Sequence, residues 1–222
     1  LRVVNAAKVS FSKESLEMGG SEEKLVNYLM RHRHGSPFEH SYFTFRVKLP
    51  IFVAREWMRH RIGSFNEMSG RYVEFEPEFY IPDKWRIPAE SNKQGSVFPD
   101  EAQLMFDEII KDVPPNAWSV ERWNKYHSDR INTLYENLHK EYRWMLRLGI
   151  AKEMARMILP VGLYTEFYWT VNARSLMNFL NLRLGDDAQW EIREYAFAVQ
   201  KFFLNKMPIT HKAWLENDRL AP

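Results

Sequence analysis

Apolar and polar positions alternate along two stretches of the chain and recur at helical spacing along several others. In 41–49, Phe43, Phe45, Val47 and Leu49 point one way, and Tyr42, Thr44, Arg46 and Lys48 point the other. That period of two predicts a half-buried strand. In 163–171, Phe167, Trp169 and Val171 oppose Tyr164, Glu166 and Tyr168, which predicts a second. Leu25 and Leu29 fall four apart in 21–33, with Ser21 placed to cap a helix and Glu22 and Glu23 suited to its positive end. His34-Gly35-Ser36-Pro37 ends that helix. Pro50 breaks the first strand and opens a helix over 51–61, on which Arg55 and Arg59 share a face. A polar turn over 62–70 and a strand over 71–75 follow.

Residues 76–98 hold Pro77, Pro82, Pro88 and Gly95 and few periodic apolar positions, the pattern of a surface loop. Asp100 caps a helix over 101–112. Pro114-Pro115 separates it from a long helix over 119–148, striped by Leu134, Leu138, Tyr142 and Met145. A helix over 151–159 stops at Pro160, and two more span 173–184 and 187–206. No linker, repeat or low-complexity tract divides the chain. The pattern predicts one helix-rich α+β domain with a small, mainly antiparallel sheet.

Composition narrows the chemistry. With 222 residues, the chain is long enough for one large domain or two small ones. Its formal net charge is only +2, so attraction for polyanions must come from local clusters. It contains no cysteine, which excludes disulfides, thiolate metal sites and a cysteine nucleophile, and is compatible with the cytoplasm. No apolar run approaches the roughly 20 residues that span a bilayer, and no signal peptide is visible. The chain opens on Leu1, so its natural start is expected to lie upstream. Eight Trp, fifteen Phe and ten Tyr point to aromatic surface kept for a subunit interface or a stacking pocket.

Two segments carry candidate chemistry. In the first, Arg59-His60-Arg61 leads into a turn containing Ser64, Asn66, Glu67 and Ser69, and Arg71 follows. Guanidinium groups fork onto phosphate oxygens, and hydroxyls and backbone amides complete such a cradle. In the second, Arg174, Asn178 and Asn181 share one face of a helix, where they suit the edge of a heterocycle or a ribose. Arg183 falls on another face, near Asn172 and Leu176. His32, His34 and His40 lack carboxylate or thiolate support nearby, so surface or capping roles are expected and no metal site. Arg33-His34-Gly35 matches the phosphohistidine triplet of histidine phosphatases in letters, but ends a helix where that triplet follows a strand.

Arg59-His60-Arg61, seven further residues, then Ser69-Gly70-Arg71-Tyr72 resembles the signature of flavin-dependent thymidylate synthases. Ala6-Ala7-Lys8-Val9-Ser10-Phe11, Ser36-Pro37-Phe38-Glu39-His40, Tyr168-Trp169-Thr170-Val171-Asn172-Ala173-Arg174-Ser175 and Ala188-Gln189-Trp190-Glu191 resemble family segments in the family's order. The resemblance runs from about Ala6 to about Met207, with a family-variable insertion near 85–125, and the family's opening strand is cut short. It implies a homotetramer with active sites at subunit junctions, binding FAD, dUMP, methylenetetrahydrofolate and NADPH. The reaction it implies is reductive methylation of dUMP to dTMP.

Carried over by motif, the flavin contacts are Ser36, Arg59, His60, Arg61, Glu67, Asn172, Arg174 and Asn178. The dUMP contacts are Glu56, Trp57, Met58, Arg59, Glu67, Met68, Ser69, Gly70, Arg71, Arg156 and Arg183. Other thymidylate synthases attack uracil with a cysteine thiolate, a route closed here. Arg183 would instead stabilise negative charge on the uracil, with Ser69 a hydrogen-bond donor beside it. Two departures stand out: Glu56 where the family commonly has Gln, and Asp187 where many members have His. Two other readings stay open at this stage. One is a nucleic-acid-binding module using the arginines of 55–71; the other is a scaffold whose arginines only solvate its surface.

Overall fold

The computed structural model describes residues 1–90, 92, 95–114 and 118–222. Its helices are α1 (Arg2–Lys8), α2 (Gly20–Arg31), α3 (Ile51–Trp57), α4 (Gln103–Ile110), α5 (Val120–Arg147), α6 (Lys152–Ala155), α7 (Ala173–Arg183), α8 (Trp190–Lys206) and α9 (Pro208–Glu216). Its strands are β1 (Tyr42–Pro50), β2 (Ser64–Glu67), β3 (Ile87–Pro88), β4 (Ser96–Val97) and β5 (Tyr164–Asn172). The two long strands and the short β2 form a sheet of order β1-β5-β2, and β3 pairs antiparallel with β4. This is the expected helix-rich α+β class with small antiparallel sheets.

The chain divides into two compact units. The first comprises Leu1–Val47, Glu56–Asn66 and Phe167–Pro222; the second comprises Lys48–Arg55 and Glu67–Glu166. The sequence offered no linker because the boundaries fall within β1, α3, β2 and β5.

Alternation predicted both long strands. In β5, Phe167, Trp169 and Val171 are buried while Tyr168 is exposed, and in β1 Val47 and Leu49 are buried between exposed Arg46 and Lys48. In the first unit the buried rings of β5 meet Trp57. Its ring centroid lies 5.2 Å from Trp169, 5.9 Å from Phe167 and 4.6 Å from Phe179 of α7. This aromatic core supports the end of α3 and therefore the residues that follow it.

Several elements differ from the expectations. Gly19, not Ser21, precedes α2: the Glu22 carboxylate folds back to accept from the Gly19 N–H at 3.2 Å. The same side chain accepts from Lys8 Nζ at 2.8 Å and Ser15 Oγ at 2.9 Å. The bonds from Lys8, from Ser21 Oγ at 2.7 Å and from Ser15 hold its carboxyl well below the usual carboxylate range, Lys8 contributing most.

The polar turn contains β2, whose single half-buried side chain, Phe65, is too little periodicity to reveal a strand. Residues 71–75 form no strand; the Tyr72 and Val73 N–H groups donate back to the Ser69 carbonyl at 3.0 and 3.2 Å. On α5, Leu134 is 49% exposed and the packed face runs through Tyr135, His139 and Tyr142. Tyr142 belonged to the predicted stripe; Tyr135 and His139 share its helical spacing, but polar tips conceal them from a count of apolar residues. The loop expected over 76–98 contains β3 and β4; its residues 91, 93 and 94, and the Pro115 half of the predicted break, lie outside the described residues.

Candidate active site

In the first unit, α7 starts where β5 ends. Asn172 closes the strand and caps the helix, its Oδ1 accepting from the Ser175 N–H at 2.8 Å. This junction places Arg174 and Asn178 on the wall of a cavity of about 790 Å³. The loop after α3 supplies Arg59, His60 and Arg61 to the same cavity. Arg183, at the last turn of α7, lines it too. The two helical faces inferred from spacing thus serve one cavity, because the long arginine side chain carries its charge away from its own Cα. Asn181 is not part of this wall.

Four arginines and one acid, Glu39, line the cavity. Arg174 is held at both ends: Nη1 donates to Glu39 at 2.7 Å and Nε to the Pro222 carbonyl at 2.5 Å. Arg59 and Arg61 form no ion pair among the described residues, leaving two unneutralised guanidinium groups for an anionic ligand. The cavity's basic character comes from this convergence and not from net charge.

Arg183 is ordered by two partners. Its Nη1 pairs with Glu56, and its Nε donates to His60 Nε2 at 2.9 Å. The sequence suggests Arg59 or Arg55 as the partner of Glu56; the structure pairs it with Arg183 instead, 127 residues away. Accepting that bond requires a bare Nε2, hence a neutral His60 with its proton on Nδ1. Burial, then the Arg183 charge, pushes the His60 imidazole down to about 4.

Since the unfolded ring titrates near 6.5, the unfolded chain takes up this proton first as pH falls. His60 should therefore cost stability progressively from pH 6.5 to about 4, and no further below that. Denaturant midpoints across this range should fall less steeply for His60→Asn than for the unaltered protein; parallel slopes would refute the assignment.

Other predicted residues are placed differently. Ser36 begins the 3-10 turn Ser36–His40, is exposed, and does not line the cavity. Trp57 is 1% exposed, so its ring is core and not a ligand surface, because the aromatic cluster claims it. Met58 is half-buried and is not among the cavity residues.

The second unit holds Glu67, Met68, Ser69, Gly70, Arg71 and Arg156. Glu67 Oε1 accepts from Thr165 Oγ1 at 2.7 Å, and the Met68 N–H donates to the Glu166 carbonyl at 2.9 Å. Ser69 Oγ accepts from the Arg71 N–H at 3.3 Å, so it serves the turn. Gly70 lies against the Phe75 ring, where a Cβ would come within 2.2 Å, and beside Arg156. Arg71 pairs with Glu153 at 3.2 Å, both side chains more than half exposed.

Glu39, Trp169, Ala221 and Pro222 line the cavity without having been singled out. Glu39 stood in a recognised motif and lacked only an arginine to face. The C-terminal pair carried no local signal.

A family model described as thymidylate synthase complementing protein matches residues 1–209. The flavin-dependent thymidylate synthase of Thermosipho africanus is 47% identical over 213 residues, covering 96% of this chain and 85% of that protein. That of Thermotoga neapolitana is 45% identical over 216 residues, covering 97% and 86%. Among solved structures, the UMP/dUMP methylase PolB from Streptomyces cacaoi bound with 5-Br UMP superposes with a TM-score of 0.81 at 37% identity, over 100% of this chain and 91% of that one. The chain belongs to the thymidylate synthase complementing protein family. It is an enzyme of the flavin-dependent thymidylate synthase type, a transferase and a flavoprotein.

Proposed function

We propose that the protein methylates dUMP to dTMP reductively, with FAD as cofactor, methylenetetrahydrofolate as one-carbon donor and NADPH as reductant. The observation that carries this reading is the convergence of four arginines on one cavity, two of them without an acid partner, in a chain lacking cysteine. The cavity's volume and donor set suit a flavin dinucleotide: guanidinium groups for its diphosphate, amides of Asn172 and Asn178 for polar edges. Arg59, His60, Arg61 and Arg174 complete its contacts, with Ser36 and Glu67 as further contacts carried over by motif. When bound, the flavin supplies the hydride chemistry that the protein's side chains lack.

Arg183 acts on the pyrimidine. Its fixed charge stabilises negative charge over N3 and the carbonyls, which makes C5 electron-rich enough to attack without an enzymic thiolate. For the nucleotide, the contacts carried over by motif are Met68, Ser69, Gly70, Arg71 and Arg156, which supply hydroxyl, backbone and guanidinium groups, together with Arg59. Ser69 acts as a hydrogen-bonding group, since no base is paired with its hydroxyl for a nucleophilic role.

A homotetramer with active sites at subunit junctions, in the cytoplasm, completes the reading. Large exposed apolar side chains such as Trp144, Tyr72 and Met157 support an assembly. The nucleic-acid alternative is set aside, because net charge is small and Arg71, one of the arginines it would use, pairs with Glu153. No membrane partner is proposed, and no helix among the described residues is long and apolar enough to cross a bilayer.

The test is tritium release from C5-labelled dUMP by FAD-loaded protein, with folate and NADPH supplied or withheld. Release should require both substrates, and dUMP should stimulate NADPH oxidation. Colourless protein that takes up no FAD would overturn the reading.

Gly35 supplies a narrower check on the flavin site. A Cβ there would lie 2.5 Å from Arg174 Nε and 2.8 Å from the Pro222 carbonyl, so Gly35→Ala must displace that guanidinium. Loss of one charge-assisted contact should weaken FAD about tenfold or more by fluorescence titration, with helical content retained.

A further inference from the structure

We propose that Glu56 is a positioning residue: with His60 it clamps the Arg183 guanidinium, so that Nη2 is the edge presented to the substrate. This deepens the proposed function and rests on its reading of Arg183 as the group that stabilises charge on the pyrimidine.

An arginine side chain has several rotatable bonds, and one contact leaves its planar head free to swing. Arg183 has two contacts, on different nitrogens. Nε donates to His60 Nε2 at 2.9 Å, and Nη1 donates to Glu56 Oε1. Together they fix both the place of the head and the rotation of its plane. Nη2 has no acceptor among the described residues.

The clamp is partly shielded, with side-chain exposures of 18% for Arg183 and 23% for Glu56. Both anchors come from one short segment, at the end of α3 and the loop after it. That segment is fixed by Trp57 in the aromatic core, and the His60 ring packs 4.9 Å from Phe179 of α7. The arginine is therefore tied to a segment anchored in the aromatic core at Trp57 and against Phe179 at His60.

This geometry gives Glu56 a role different from that of a direct nucleotide contact. A carboxylate facing a phosphate or an electron-rich pyrimidine would repel it. Turned onto Arg183, the same carboxylate orients the group that attracts it. What Nη1 requires is an acceptor oxygen at that place, which a glutamine amide also supplies. Glu56→Gln should therefore keep the clamp, and Glu56→Ala should release it.

The experiment uses the full chain loaded with FAD. It reads tritium release from C5-labelled dUMP, the dUMP dissociation constant by equilibrium dialysis, and the ¹⁵N resonances of the His60 ring. Glu56→Ala should lower kcat about 100-fold, the scale of a misplaced catalytic group, and change dUMP affinity less than about threefold. Glu56→Gln should recover kcat to within about tenfold of the unaltered enzyme. The His60 Nε2 resonance should move in Glu56→Ala and return in Glu56→Gln.

Three results would overturn the proposal: weaker dUMP binding with kcat intact in Glu56→Ala, Glu56→Gln as slow as Glu56→Ala, or an unmoved His60 resonance in Glu56→Ala. Should Glu56→Ala not fold, Glu56→Gln decides. A retained rate and His60 resonance support the clamp, and loss of either refutes it. If the unaltered enzyme releases no tritium, the proposed function fails, and the His60 resonance still tests the clamp separately.

Discussion

Replacing Arg183 by alanine should lower turnover about 100- to 1,000-fold while the protein stays folded and keeps its flavin. The magnitude is that of removing one fixed donor from a site where charge develops. The fold should persist because the Arg183 side chain joins the cavity wall and not the hydrophobic core. The substitution has a second effect. It leaves Glu56 half-buried without its guanidinium and removes the donor to His60. A stability loss of about 1–3 kcal/mol is expected from the orphaned acceptors. Tritium-release rates and denaturant melts on the same preparation separate the two effects. Turnover within a factor of ten of the unaltered enzyme would remove Arg183 from its assigned role.

Trp57→Ala should destabilise the protein by about 3–5 kcal/mol, the usual cost of truncating a fully buried tryptophan. The indole is packed against Trp169, Phe167 and Phe179, and Tyr195 lies 6.1 Å away. The cavity left behind would open beneath Glu56, Arg59 and His60, so activity should fall with stability. Trp57→Phe should cost much less. It keeps a ring in the cluster and discards an indole N–H that is buried without a hydrogen-bond partner. Urea midpoints for the two variants provide the check. Equal losses would show that the ring contacts do not carry the stability.

The strands that organise the first unit were legible because burial on one face writes itself into alternation. β1 and β5 both obey it closely. β2 was not legible, since one half-buried Phe65 sets no period and its strand character comes from main-chain pairing. The inward face of α5 was legible only in part, for a related reason: Tyr142 is buried as the stripe requires, but Leu134 is exposed. Tyr135 and His139 bury rings while keeping polar tips, so a stripe counted through Leu134, Leu138, Tyr142 and Met145 missed them.

The candidate site divides in the same way. Arg59, His60, Arg61, Arg174, Asn178 and Arg183 were readable as motif residues, and the structure gathers them at one cavity. Which acid meets which arginine was not readable. Glu39 faces Arg174 across 135 residues of chain and Glu56 faces Arg183 across 127, and only the packing of α7 against the Ser36–His40 turn and the end of α3 brings them together. Trp57 shows the opposite limit. A motif position earns attention by its neighbours, whereas burial assigns its ring to the core.

The polypeptide passes between its two units at Val47, Arg55, Asn66 and Glu166. Neither unit is therefore a continuous stretch of the gene product, and no single nick releases one intact. Cleavage at a loop between Glu67 and Glu166 yields two fragments that each own parts of both. Expression of isolated halves should give chains that stay soluble only when co-produced, so the two units are inherited, and must be engineered, as one indivisible piece.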